Sequence, residues 1–557
     1  PLSTRIVDSF RKHPNAHPTP PAAIGTHGKI FDVDSAAHAT ATSPLQRHLK
    51  GRHLQMIAIG GSIGTGLFVG SGSSLATGGP ASLLLGFSLI GAMLYCTVHA
   101  LGEMAVLFPV AGSFSAFSTR FLDPAWGFAM GWNYAMQWLV VLPLEIVAAS
   151  LTIEYWTERK INSNAFVTVF LLLIIAINLF GVKGFGEAEF VFSIIKVAAV
   201  VGYIVLGVVI NCGGGPDGEY IGGRTWRDPG AFRNGFKGFC SVFVTAAFAF
   251  AGTELVGLAA AETTNPRKSL PTAVKQVFWR ITLFYIVSLT LVGLLVRYDD
   301  PRLLGAKNFA DATASPFVIS IENAGIDVLP SVFNAVIMIA VLSVGNSSVY
   351  GSSRTLAALA EQQQAPRILA YIDRKGRPIV SIAIASIVGL LAFLAGSDQK
   401  DAAFNWMIAL SGLSSIFTWG SICLAHIRFR RAWKLQGHSL NEIPFRGQPG
   451  VIGSWFGFVF NFLILIAQFW VGAWPIGWRD RSAAELVQGF FELYLAVPVV
   501  LLFYIPYKLY YRCAVVRAHN MDLHTGIRDF NVPELIAEEK AERATWPAWK
   551  RVYKFFC

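Results

Sequence analysis

Between residues 54 and 507 one pattern recurs along the chain: an apolar run of about twenty residues, a short polar interval, then another run. A helix needs roughly 20 apolar residues to cross about 30 Å of hydrocarbon. Runs of that kind fall near 54–76, 81–107, 126–152, 165–182, 188–210, 239–260, 278–296, 329–352, 379–396, 403–425, 453–474 and 486–507. The pattern predicts an all-α integral membrane protein of about twelve transmembrane helices, with polar stretches at 1–50 and 511–557.

The first run is interrupted. "IAIGGSIGTGLFVGSG" (57–72) carries glycine at 60, 61, 64, 66, 70 and 72 and no charge. A phosphate-binding loop would follow a strand, open a helix and meet an acidic residue about 20 positions later. These glycines instead sit inside one apolar segment that leads into the next, which excludes that reading. A helix that unwinds at bilayer depth frees backbone groups that something polar must meet. Past the break, the exposed N–H groups suit a carboxylate; before it, the exposed carbonyls suit an ammonium. One broken helix thus serves both ends of a zwitterion. The N–H groups of Gly64, Thr65 and Gly66, with the Thr65 hydroxyl, form the expected carboxylate cradle. Close helix packing is the other use of such glycines. A second interruption, "FAGTE" (250–254), puts Gly252 and Glu254 inside the sixth run, five spans after the first. Paired breaks at corresponding places in two halves point to a transporter of inverted repeats with its site between them. No residue-level repeat joins the halves, so spacing and the two breaks carry the inference.

Charge sharpens the picture. Glu145 in "LVVLPLEIVAAS", Lys196 in "FVFSIIKVAAVV" and Glu254 lie well inside runs. Each costs on the order of 2.5–3.5 kcal/mol at the bilayer centre, so such groups face a cavity or a partner and often relay protons. Glu103 lies nearer an end and is expected to pair with a basic residue. The whole chain of 557 residues is 54% hydrophobic and 14% charged, against about 25% charged in soluble domains. The formal net charge of +11 concentrates in "NPRKSLPTAVKQVFWR", "RILAYIDRKGRP" and "HIRFRRAWK". These loops fall inside if the amino terminus is cytosolic, in line with the positive-inside bias, and they remove any need for a nucleic-acid partner. The first fifty residues lack the pattern of a cleaved signal peptide, so the first span is expected to direct insertion. Six cysteines show no metal-ligand spacing, and no metal site or disulfide framework is implied.

The motifs "GGSIGTGLFVGSG", "TGGPASLL", "WLVVLPLEIVAAS", "FGVKGFGEAEFVFSIIKV", "FAGTELVGLAAAETTNPRKSLPTAVKQVFWRI", "ALSGLSSIFTWG" and "HIRFR" stand in one order. In this the chain resembles the fungal amino acid permeases of the amino acid, polyamine and organocation superfamily, and is nearest to their general-permease branch, from about residue 48 onward. The resemblance implies a leucine-transporter-like fold of two inverted five-helix repeats plus two extra helices. It divides the chain into a cytosolic tail (1–50), a ten-helix core (51–427), two last helices with their preceding loop (428–510) and a second cytosolic tail (511–557). It further implies a plasma-membrane symporter that imports amino acids, of broad range, with protons as the coupling ion and no other cofactor. Both termini would be cytosolic, open to trafficking and ubiquitin-ligase machinery, with membrane lipid around the core.

Carried over by the resemblance, backbone around Ser62, Gly64, Thr65 and Gly66 holds the α-carboxylate. Carbonyls near Ser62, Phe248 and Ala251 hold the α-amino group, Phe248 or Phe250 closes over it, and Thr253 joins the substrate set. Lys196 would occupy the place of a sodium ion, and Glu145 and Glu254 would serve substrate binding or proton transfer. Cys557, last in "YKFFC", is too close to the end for prenylation and is a candidate for acylation.

An enzyme is excluded by the lack of a phosphate loop, metal set or nucleophile elbow in a soluble segment. A channel would need a continuous polar pore. The remaining alternative is an amino acid sensor of the same fold with little or no net transport. Such sensors carry longer amino-terminal extensions than the fifty residues here, so transport is the expected reading. Specificity would come from the third, sixth, eighth and tenth spans, including "LSGLSS" (410–415).

Overall fold

The computed structural model describes residues 8–14, 24–25, 28–29, 31–61, 63–157, 161–216, 218–305, 314–396, 406–408, 410–527, 537, 541–542 and 544–550. Helices make up nearly all of it. Among the described residues the strands are one short antiparallel pair, Ile24–Gly25 with Gly28–Lys29. Ser62 and Cys557, both expected to be functional, lie outside the described residues.

Among the described residues eight helices are long and apolar enough to cross a membrane, a bent pair has the length and composition of a ninth, and Ser163–Leu179 and Ile379–Leu394 are shorter apolar helices. The first span is split: Gly51–Gly60, then a break, then Thr65–Phe68 continuing into Gly70–Leu107. That last helix contains the second half of span 1 and all of span 2. The two are separated at Gly79, whose φ of 83° interrupts the helix just before Pro80. A side chain there would meet the Ala231 carbonyl at 2.8 Å, and only glycine adopts that backbone at no steric cost. The segment before span 6 satisfies the freed groups: Arg233 N donates to the Gly78 carbonyl, Ala81 N to that of Ala231, and Arg233 Nη1 to that of Ala76. Counted this way, with the two shorter helices included, the described residues hold twelve apolar helical segments, in line with the expected number. Span 12 departs from the straight run at 486–507, because Ala483–Tyr494 and Ala496–Tyr511 meet at 64°.

Spans 3 and 8 (Pro124–Thr157 and Leu329–Glu361) run along each other, and so do spans 2 and 6 and spans 1 and 5. Span 5, Gly181–Asn211, shows how sequence sets the packing. Phe185, Glu189, Ser193, Lys196, Val200, Tyr203, Gly207 and Ile210 are buried, spaced three or four apart, while Val191, Ile194, Val201 and Val205 are exposed. One helical stripe faces the protein and the other faces the bilayer. Both tails pack on one end of the bundle. Asp8 pairs with Arg374, and Ser43 donates to Glu361 at 2.7 Å. Asp522 pairs with Arg120 at 3.1 Å in the loop between spans 2 and 3.

Candidate substrate site and its charged surroundings

At the first break, the earliest backbone bonds of the second half-helix run from Leu67 N and Phe68 N to the Gly64 carbonyl. The N–H groups of Thr65 and Gly66 therefore belong to a helix start, where no intrahelical acceptor exists. The two glycines of the expected cradle do different work. Gly64 has an extended φ of −156°, so it is needed for space and not for an unusual backbone. A Cβ there would reach Val344 Cγ2 on span 8 at 2.5 Å. A Cβ on Gly66 would meet the Ala249 Cα at 2.5 Å, so this glycine lets the two broken helices touch backbone to backbone. The Thr65 hydroxyl donates to Glu145 Oε2 on span 3 and is held by that carboxylate.

At the second break, span 6 stops at Phe250, passes through Ala251 (ψ 142°) and Gly252 (φ 96°), and resumes as Leu255–Ala259. Thr253 Oγ1 donates to the Phe250 carbonyl at 2.7 Å, Tyr285 OH to that of Ala249 at 2.7 Å, and Leu255 N to that of Gly252 at 3.2 Å. Phe248 O accepts from Ala251 N at 3.2 Å. The two candidate aromatic gates separate. Phe250 is fully buried and stacked on Tyr285 at 4.0 Å with Phe87 at 6.0 Å, so it belongs to the core. Phe248, two residues earlier, is also buried and retains 8% exposure.

Glu254 turns toward spans 3 and 10. Oε1 accepts from Tyr134 OH and Gly252 N, each at 3.1 Å, and Oε2 accepts from Trp419 Nε1 at 3.1 Å. Its carboxylate thus ties the unwound backbone of span 6 to both neighbours. Lys196 faces the other break: Nζ donates to the Gly60 carbonyl at 2.5 Å, to Ser343 Oγ at 2.7 Å and to Glu189 Oε1 at 3.4 Å. Lys196 and Glu189 are both fully buried. Glu103 pairs with Arg430 at 2.5 Å and His426 at 3.1 Å and accepts from Gly447 N at 2.8 Å, the structural pairing its position suggested.

Toward the tail-bearing end, a buried layer lies below both breaks. Glu262 at the end of span 6 takes Tyr350 OH at 2.6 Å and Arg354 Nε at 3.3 Å, both on span 8. Tyr350 stacks on Phe185 at 4.1 Å, and Leu49 bonds across to Glu262 and Thr264. Arg280 on span 7 donates to the Ala58 carbonyl at 3.1 Å and to Tyr285 OH at 3.2 Å, and Tyr285 in turn donates to the Ala249 carbonyl, so the pair links both broken helices.

Two split helices, with an internal ammonium at one break and a bonded carboxylate at the other, describe a transporter core. The amino acid permease model matches residues 53–520, a stretch that includes both breaks, Lys196 and Glu254. The chain belongs to the amino acid permease family. This permease is 58% identical to the general amino-acid permease GAP2 of Candida albicans over 99% of its own length and 96% of the relative's. It is 56% identical to the general amino-acid permease GAP1 of Saccharomyces cerevisiae, over 95% and 88%. Among solved structures, a variant of the Eremococcus coleocola manganese transporter superposes with a TM-score of 0.50 at 13% identity, covering 90% of this chain and 98% of that one. That likeness concerns the fold alone. The permease is a multi-pass membrane protein of the amino acid transport class, with the leucine-transporter-like arrangement of two five-helix repeats and two further helices.

Several residues around the site were not singled out from sequence. Glu189 stands seven residues before Lys196, a spacing that puts both on one helical face, and that signal was available. Tyr134, Trp419, Ser343 and Arg280 carried none, because each matters only through a partner on another span.

Proposed function

We propose that this permease imports amino acids across the fungal plasma membrane together with protons, with both tails in the cytosol. The zwitterion sits between the breaks. Its carboxylate lies at the N–H groups following Gly64, and its ammonium lies near the Ala251 carbonyl, under Phe248. Lys196 carries the coupling, and Glu145 reports on the cradle through Thr65. The observation that carries this reading is the bond from Lys196 Nζ to the Gly60 carbonyl, the last turn before the first break. A titratable cation there makes the packing of the half-helix depend on a proton, because a charge-assisted hydrogen bond is roughly twice as strong as a neutral one. The names of the relatives support a broad substrate range. The tails are the natural contact for trafficking and ubiquitin-ligase machinery.

The test is uptake of labelled amino acids by cells lacking their own permeases. Wild type accumulates substrate in proportion to an inward proton gradient, and esters of the same amino acids compete poorly. Lys196→Met, similar in length and unable to hold a proton, still binds substrate but loses gradient dependence. Unchanged proton-driven accumulation by that variant refutes the coupling role, and equal competition by esters refutes the N–H cradle.

A further inference from the structure

Lys196 does not meet its carboxylate head-on. The direct distance to Glu189 Oε1 is 3.4 Å, whereas Ser343 Oγ on span 8 lies 2.7 Å from the ammonium and 2.7 and 2.9 Å from the two oxygens of Glu189. A hydroxyl accepts and donates at once, so Ser343 takes a hydrogen bond from the lysine and gives its own to the glutamate. Proton transfer wants heavy atoms about 2.6–3.2 Å apart; both serine legs satisfy that and the direct path does not. Glu189 is further ringed by Ser347 at 3.4 Å and Ser193 at 3.5 Å, and all of these groups are buried.

We propose that Ser343 and Glu189 form the proton relay of Lys196. An N–H bond at Nζ breaks as an O–H bond forms on Ser343 Oγ, while the original hydroxyl proton of Ser343 passes to a Glu189 oxygen. The ion pair becomes a neutral amine and a carboxylic acid, with no proton or electron gained or lost and no further reactant needed. The amine then holds the Gly60 carbonyl less strongly, which frees the first half-helix from span 5. The remaining charged groups that act on Lys196 are Glu145 on span 3 and Arg280 on span 7. Span 1 offers Lys196 the carbonyl of Gly60, while its Met56 carbonyl accepts from Ser193. Its His53, with Glu187 at 3.2 Å, belongs to the tail-bearing end. Ser343 and Glu189 act through Lys196 and are positioning residues, and the inference rests on Lys196 being the coupling group.

The experiment uses the full chain in permease-deficient cells at matched surface expression. It reads initial uptake against external pH, proton entry with an internal pH reporter, and exchange of labelled for unlabelled amino acid at equal pH on both sides. Ser343→Ala is expected to keep exchange within about two-fold while proton-driven uptake falls at least about ten-fold and its pH profile flattens. Ser343→Thr, which retains the hydroxyl, restores both, and Glu189→Gln behaves as Ser343→Ala. The relay is overturned by a wild-type pH profile and proton entry in Ser343→Ala. It is equally overturned by loss of exchange along with uptake, by failure of that variant to reach the surface, or by equal impairment of Ala and Thr. Should Glu189→Gln not reach the surface, the Ser343 pair decides alone. Lys196→Met run in parallel separates the two levels: loss of coupling there with none in Ser343→Ala refutes the relay only, and coupling retained in both refutes the parent reading.

Discussion

Replacing Glu254 separates holding the break from moving protons. The carboxylate receives three donors, Tyr134 OH, Gly252 N–H and Trp419 N–H. The two N–H groups can only donate; the tyrosine hydroxyl can turn and accept. In Glu254→Gln, the amide oxygen placed at Oε2 serves Trp419 and Gly252, which also lies 3.2 Å from that atom, and the amide nitrogen placed at Oε1 donates to Tyr134. Trp419 N–H, Gly252 N–H and the Tyr134 oxygen stay bonded, while the amide's second N–H and the Tyr134 hydroxyl hydrogen lose an acceptor in this set. Three charge-assisted bonds of about 1.5–3 kcal/mol become neutral ones of about 0.5–1.5 kcal/mol, a loss of roughly 3 kcal/mol in all. Against this stands the desolvation cost of a buried carboxylate, several kcal/mol, which the amide avoids. The net change is expected to stay within about 2 kcal/mol. Glu254→Leu differs, because it orphans two buried N–H donors at about 1–3 kcal/mol each, for a destabilisation of roughly 2–6 kcal/mol. Thermal melting of detergent-solubilised protein should therefore place Glu254→Gln near wild type and Glu254→Leu well below it. Initial uptake rates from about pH 4 to pH 7 should trace the same profile in wild type and Glu254→Gln at matched surface expression. A folded Glu254→Gln protein whose uptake has lost its pH dependence would show that this carboxylate titrates during the cycle, and the bridging account would be wrong.

The glycines at the first break answer to different partners. Gly64→Ala collides with Val344 Cγ2, so uptake lost in that variant should return in Gly64→Ala/Val344→Ala, and failure of the rescue would mean that Gly64 serves more than space. Gly66→Ala collides with the Ala249 backbone, which cannot be trimmed away; overpacking of about 1–3 kcal/mol should lower melting temperature and uptake together, and an unchanged melting temperature would refute the close approach. In the carboxy-terminal tail, burial pushes the Asp522 carboxyl up, but the Arg120 guanidinium and the N–H groups of Thr525 and His524 outweigh it and hold the carboxyl below its ordinary value. A depressed carboxylate stabilises docking above its unfolded pKa and loses that stabilisation only as pH falls through the folded one. Tail protection against limited proteolysis should thus be constant from about pH 8 down to 5 and be lost in Asp522→Asn; equal protection in both proteins would refute the ion pair's role.

Much of this permease could be read along one dimension. A helix in hydrocarbon must satisfy its own backbone, so the recurrence of apolar runs was enough to predict an all-helical membrane protein. The same constraint makes glycine at bilayer depth conspicuous, and both breaks were legible at Gly64 and Gly252. Charge inside a run is conspicuous for the same reason, which is how Glu145, Lys196 and Glu254 stood out. Which way those side chains turn was not legible. Glu254 and Lys196 read alike as isolated charges inside a run, yet one meets Tyr134 and Trp419 and the other meets Ser343 and Glu189. Gly64 and Gly66 read alike as cradle residues until Val344 and Ala249 come up against them. Phe248 and Phe250 read alike as aromatic gates, yet Phe250 is stacked on Tyr285 in the core. Apart from Glu189, which shares the helix of Lys196, the deciding partner lies on another span. Hydropathy and backbone demand act within a single helix, whereas the face a side chain presents acquires meaning only when helices pack, and that information exists in the tertiary structure alone.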